Sequence, residues 1–142
     1  MDTSTLSPSA VIDRVAAATA AHDLEALVGC FAPDYVNETP VHPSRGFTGR
    51  DQVRRNWSQF FAAIPDLSSE VLARAVDGDT VWTEWEMRGT RPDGSPHHMR
   101  GVMIFRVEGG LVRSVRFYLE PVDAAVSTVD QTVAAIVRTG AP

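Results

Sequence analysis

Apolar residues recur at helical spacing along the first half of the chain and at strand spacing along the second. Val11, Ile12, Val15, Ala16 and Thr19 mark one face of a helix over Pro8 to Ala21, with Ser7 as its N-cap and Pro8 at the first helical position. Asp23 caps a second, short helix with Leu24, Leu27, Val28 and Phe31 on one face, and Pro33 stops it. Asp34 to Thr39 reads as a short strand. Pro40 to Phe47, with two prolines and Gly46, reads as a loop. Thr48 and Asp51 resemble a capping box ahead of a third helix, whose Val53, Trp57, Phe60, Phe61 and Ile64 share a face and which Pro65 ends.

From Leu67 the period changes. The turn signals Asp77-Gly78-Asp79, Pro92-Asp93-Gly94-Ser95-Pro96 and Gly109-Gly110 divide four strands, Leu67–Val76, Thr80–Thr90, His97–Val107 and Leu111–Glu120, as an antiparallel meander. Strands of about ten residues exceed the usual five or six, so the sheet is expected to twist and curl, with bulges near Gly89 and Gly101. The predicted fold is α+β: a cone-shaped barrel of three N-terminal helices packed on a strongly curved, mainly antiparallel sheet.

Val81, Trp82, Trp85 and Met87, then Val102 to Phe105, then Val115, Phe117, Tyr118 and Leu119 make the strands apolar on both faces. Three helices cover one face, so the other is expected to pack on a second copy, giving a homodimer through the outer sheet face. Residues 1–122 form the domain and 123–142 a C-terminal extension. There Ser127 or Thr128 caps a helix with a thin stripe of Val129, Val133, Ile136 and Val137, which closes the cavity, contacts the partner or frays.

The length, 142 residues, suits one domain with a single core. The net charge of −5 and the lack of any dense basic stretch argue against nucleic acid as a partner. No apolar run reaches the 18 or so residues needed to span a bilayer, and Met1 to Thr5 lack a secretory leader pattern, so a cytoplasmic location is expected and no membrane partner. Cys30, the lone cysteine, reads as an inert buried thiol. The four histidines show no metal-ligand spacing, and no phosphate loop, dinucleotide turn or nucleophile elbow occurs, so neither metal nor cofactor is expected.

His22-Asp23-Leu24-Glu25-Ala26-Leu27, Phe31-Ala32-Pro33-Asp34, Pro40-Val41, Gly49-Arg50-Asp51, Trp57, Pro65-Asp66-Leu67 and the run Gly109 to Tyr118 together resemble the SnoaL-like polyketide cyclase branch of the nuclear transport factor 2-like (ketosteroid isomerase-like) superfamily. The resemblance covers about residues 8 to 122. It implies the cystatin-like cone fold and a cavity for a small apolar molecule, while the scaffold hosts isomerases, cyclases, epoxide hydrolases and non-catalytic proteins. Matched to the ketosteroid isomerases, the proton-shuttling Asp falls at Thr39, the hydroxyl-donating Tyr at Val15, and the protonated Asp near Val102 or Met103. None of these residues can take over the role, which disfavours steroid isomerisation.

The family's polyketide cyclases pair a His with a carboxylate near the ends of the last two strands, which implies His98 and Glu120 as a cofactor-independent acid–base pair. Arg100, Arg116 and Tyr118 would then orient an enolate, unless the arginines merely bridge to Glu84 or Glu86 on the neighbouring strand. Trp57, Phe61, Trp82 and Trp85 are candidate pocket walls, although aromatic rings at helical or strand spacing more often form plain core. The parity of the last strand is open. Tyr118 pointing inward brings Ser114, Arg116 and Glu120 with it, whereas Phe117 pointing inward brings Val115 and Leu119; alignment with family members favours the first. A second enzymatic reading pairs Glu38 with Asp66 for epoxide opening, as against Asp66 merely capping a turn. A third is a non-catalytic ligand-binding or assembly module.

Overall fold

The computed structural model describes residues 6–139; the leader-free reading of Met1 to Thr5 and the last three residues of the C-terminal extension lie outside the described residues. Helix α1 spans Pro8–Ala21. The Ser7 Oγ accepts from the Ala10 N–H at 3.2 Å, as the cap signal predicts, and His22 ends the helix in the left-handed conformation. Asp23 caps α2, Leu24–Val28, in the same way. Gly29 ends that helix before Phe31, so β1 runs over Phe31–Glu38 and starts earlier than the sequence pattern indicates. Pro33 falls within the register irregularity between Phe31 and Val36, where its missing N–H interrupts a ladder that is already broken.

A single 3-10 turn, Pro43–Arg45, and a two-residue strand β2, Phe47–Thr48, occupy the expected loop. Helix α3 spans Arg50–Ala63. Its N-cap is Gly49 at φ 98° rather than a Thr48 capping box. The Gly49 N–H donates to the Tyr35 carbonyl at 2.7 Å, which ties the helix start to β1. The meander follows as β3, Ser68–Asp77, β4, Thr80–Thr90, β5, Pro96–Glu108, and β6, Leu111–Pro121. A last helix, α4, covers Val129–Thr139, and here the expected capping box forms between Thr128 and Gln131.

The six strands order as β2-β1-β6-β5-β4-β3. All neighbours are antiparallel except β1 and β6, which run parallel, so the meander is as predicted and the sheet as a whole is mixed. The expected cone-shaped barrel on a strongly curved sheet is not formed. The sheet is open, with β2 and β3 as unpaired edges. Closure needs edge strands long enough to pair with a constant stagger, and β2 is two residues long. Nor do Gly89 and Gly101 carry bulges; the irregularities fall at Val71/Ala73, Arg106/Val107 and Phe31/Val36.

One face of this sheet takes the helices. Val11, Ile12 and Val15 of α1, Leu27 of α2 and Val53 of α3 bury against Trp85, Phe105, Val107, Val112 and Val115. Thr19 reaches Ser69 of β3 at 2.7 Å, His22 Nε2 meets the Leu67 carbonyl at 2.7 Å, and Arg74 bridges to Asp13 at 2.9 Å. These contacts hold the α1 end against the β3 edge. Residues 121–138 are exposed throughout, and no described helix is long and apolar enough to cross a membrane.

Candidate functional site

Between the helices and the sheet lies a cavity of about 320 Å³. Because strand residues alternate faces, the odd positions of three meander strands turn toward it: Trp85 and Met87 of β4, Met103 and Phe105 of β5, Val115, Phe117 and Leu119 of β6. Phe117 thus points inward, and the opposite parity, favoured by alignment, is corrected. The reason lies in β1. It pairs Asn37 with Val115 and Glu38 with Arg116, so burying Phe31 and Tyr35 under the helices selects the phase of β6.

The inward face of β1 carries the polar groups. The Tyr35 hydroxyl donates to Asn37 Oδ1 at 2.9 Å, and the Asn37 amide nitrogen lies 3.4 Å from Thr39 Oγ1. Burial pushes the Tyr35 phenol far above its ordinary range, so it remains a donor at any working pH. With Oδ1 occupied by Tyr35 and one amide N–H donated to Thr39 Oγ1, the second N–H of Asn37 is the donor offered to the cavity. Asn56 and Trp57 of α3 and Arg45 from the 3-10 turn complete the rim, and Phe60 stands beside them. No carboxylate and no imidazole is among the described residues lining this cavity. Val15, Thr39 and Met103 face it, whereas Val102 is on the opposite side of β5. Among the described residues no group of three or more His, Cys, Asp or Glu is placed to hold a metal ion.

The remaining candidates are distributed as follows. Trp57 and Trp85 line the cavity; Phe61 stands behind, stacked on His22 at 4.6 Å and against Trp57 at 5.5 Å. His98, Arg100, Arg116, Tyr118 and Glu120 are on the opposite, outer face of the sheet. There His98 Nε2 lies 2.9 Å from Glu86 Oε2, and Arg100 lies 3.7 Å from the same oxygen. The hydrogen bond from His98, with help from Arg88 and Arg100, holds the Glu86 carboxyl below its usual range. Glu120 is instead 2.8 Å from His42, so His98 and Glu120 each have another partner. Trp82, 47% exposed, shares this outer face with Val102 and Tyr118, and this is the patch on which the expectation of a second copy rests.

Glu38 also lies on the outer face, opposite Arg116. Asp66 sits at the far end of β4, where its carboxylate accepts from the Thr90 N–H at 2.9 Å and the Thr90 hydroxyl at 2.8 Å. The sheet therefore keeps the two carboxylates apart, with β6 and β5 between the strands that hold them. The two bonds from Thr90 lower the Asp66 pKa, so its contribution to stability is present above the unfolded value and is lost as pH falls through the folded one. Asp66→Ala should consequently lower the melting temperature at neutral pH, with the gap from wild type narrowing below about pH 4. A gap that stayed constant across parallel melts from neutral to acid pH would contradict that assignment.

Of the aromatic candidates Trp57 and Trp85 line the cavity while Phe61 and Trp82 do not, and the Tyr35-Asn37-Thr39 row is not among the residues that the sequence pattern singles out as a group. Its signal was the alternation of polar, hydrogen-bonding side chains along a strand that begins earlier than its apolar pattern indicates. Arg45 and Asn56 carry no local signal, since only the pairing of β2 with β1 and the seat of α3 bring them to the rim.

Solved structures share this architecture. IdmH from Streptomyces antibioticus, a candidate polyketide cyclase, is 24% identical over 94% of this chain and 99% of its own, with a TM-score of 0.69. AclR from Streptomyces galilaeus, a candidate hydroxylase, is 19% identical over 94% of this chain and 92% of its own, with a TM-score of 0.72. The candidate polyketide cyclase SMa1630 from Sinorhizobium meliloti is 24% identical over 84% of this chain and all of its own, with a TM-score of 0.60. No curated protein matches the chain. The SnoaL-like domain matches residues 12–115, a stretch that takes in most of α1, all of α2 and α3, the row on β1 and the meander as far as the first half of β6, and the chain therefore belongs to the SnoaL-like domain family.

Proposed function

We propose that this chain is a cyclase-type enzyme that folds a small, mostly apolar, polyketide-like molecule inside the cavity and promotes a ring closure there. The observation that carries it is the hydrogen-bonded polar row Tyr35-Asn37-Thr39 along one wall of a mostly apolar cavity. The candidate polyketide cyclases among the similar structures support the substrate class.

In an aldol-type ring closure one carbon–carbon bond forms as a carbon–hydrogen bond breaks, and the proton passes by way of solvent water to the alkoxide made from the carbonyl, so the atoms balance with no leaving group. The barrier is largely one of bringing two ends of a flexible chain together, and well-oriented intramolecular reactions reach effective molarities of about 10⁵ M or more. The aromatic wall of Trp57, Trp85 and Phe117 supplies that confinement. The second amide N–H of Asn37, oriented by the Tyr35 hydroxyl, donates to a substrate carbonyl whose oxygen gathers charge as the ring closes. Asn37→Leu is therefore expected to lower turnover about a hundred-fold, the scale of losing one oxyanion donor, and also to lower the melting temperature, because the buried Tyr35 hydroxyl loses its acceptor; turnover is accordingly read per folded molecule. His98→Ala, on the outer face, is expected to leave turnover near wild type.

Mass spectrometry of pure protein incubated with linear polyketide candidates reads both variants. Turnover lost in His98→Ala and kept in Asn37→Leu would overturn the assignment in favour of the acid–base pair. A second reading, a binding module without chemistry, is favoured by the lack of any carboxylate or imidazole among the described lining residues. Ligand bound but recovered unchanged would select it.

A further inference from the structure

Resting on the reading of the cavity as a small-molecule site, we infer that Arg45 is a recognition residue for a carboxylate at the mouth-side end of the ligand. The chain has no lysine, so every side-chain cation apart from histidine is an arginine. Six of the thirteen have an acidic partner: Arg54 with Glu25, Arg74 with Asp13, Arg88 and Arg100 with Glu86, Arg106 with Glu108, Arg113 with Asp34. Arg45 lines the cavity, and among the described residues nothing forms a hydrogen bond or ion pair with its guanidinium. It is the single ionised side chain on a wall that is otherwise apolar or neutral.

Its position is built rather than incidental. β2 pairs Phe47 with Asn37, so Phe47 faces the cavity, and Arg45, which ends the 3-10 turn leading into β2, lines the cavity as well. The strap that carries it is a run of short turns: the His42 N–H donates to the Thr39 carbonyl at 2.8 Å, the Arg45 N–H to the His42 carbonyl at 2.9 Å, and the Gly46 N–H to the Pro43 carbonyl at 3.2 Å. Pro40 and Pro43 restrict it further. The His42–Glu120 contact at 2.8 Å pins the strap to the end of β6. Glu120 is thereby a positioning residue for Arg45.

A lone guanidinium presents a planar fork that matches a carboxylate in two parallel bonds, whereas a phosphate dianion calls for more donors than this rim offers. The ligand class is thus an amphiphile: an apolar body inside, a neutral carbonyl within reach of Asn37, and a carboxylate at the mouth. Since Arg45 is itself exposed, solvent screens the pair and the preference is moderate.

Calorimetric titration with naphthylacetate and naphthylacetamide separates the outcomes, because the two probes share a body and differ in charge. Wild type should bind the carboxylate about five-fold more tightly than the amide, the range expected of an exposed charged pair. Arg45→Met should remove that preference and leave amide binding intact, Arg45→Lys should keep part of it, and Glu120→Gln should reduce it. Arg138→Met, which makes the same change in net charge on α4, should not alter it. Equal binding of both probes to wild type, or a preference that survives in Arg45→Met, would overturn the inference while leaving the cavity reading intact. Failure of both probes to bind wild type would count against the cavity as a ligand site and against Arg45 with it.

Discussion

Trp85→Ala should lower the unfolding free energy by about 3–5 kcal/mol, the cost typical of truncating a buried Trp. Trp85 is fully buried and belongs at once to the core and to the cavity wall. Its indole N–H donates to Thr83 Oγ1 at 2.6 Å, and that hydroxyl donates to the Met103 carbonyl at 2.6 Å. Removing the ring therefore loses packing against Phe105 and strips a buried hydroxyl of its donor. Trp85→Phe should fall between wild type and alanine, since it keeps most of the ring volume and loses the N–H. Urea unfolding with an unchanged slope measures the difference, and a loss below about 1 kcal/mol would mean that the indole is not the packed, bonded element described. Ligand binding should fall with stability, because the same ring shapes the cavity.

The second large effect is expected at Gly101. An alanine Cβ there would stand 2.2 Å from the Tyr118 carbonyl oxygen and 2.8 Å from the Leu119 Cα, both on the backbone of the adjacent strand. A flexible side chain could swing aside; a ladder held by hydrogen bonds on both sides cannot. Gly101→Ala should cost about 3 kcal/mol or more, combining overpacking with an unfavourable φ. Gly94 makes the control: it sits in the β4–β5 turn, where an added Cβ would meet nothing within 4 Å, so Gly94→Ala faces only the left-handed backbone penalty of about 1 kcal/mol. Thermal melts should separate the two variants clearly, and equal melting temperatures would show that β5 and β6 part easily at this point.

Both effects come from the meander, the part of the molecule most legible in the sequence. Its turn signals and ten-residue strands point to four antiparallel neighbours without any tertiary information, and α1 announces itself through its cap. The start of β1 is less legible. Pro33 looks like a helix stop, yet Gly29 has already ended the helix and the proline sits in the interrupted part of a strand. Openness of the sheet is not legible at all, because it depends on β2 being too short to close the edge.

The candidate site divides along the same line. Aromatic positions such as Trp57 and Trp85 stand out by size and spacing, but Trp82, 47% exposed on the outer face, shows that bulk and period do not choose which ring is buried. Nor do they choose the side to which His98, Arg116, Tyr118 and Glu120 turn. A strand that is apolar on both alternating faces states its period of two and leaves its phase undetermined. By itself, then, the sequence determined the three N-terminal helices, the order of the meander strands and the family, and left the C-terminal helix open. Tertiary structure decided which face became the cavity, through the parallel pairing of Asn37 with Val115 and the burial of Tyr35 beneath the helices, since phase is a property of two strands and their cover rather than of one strand alone.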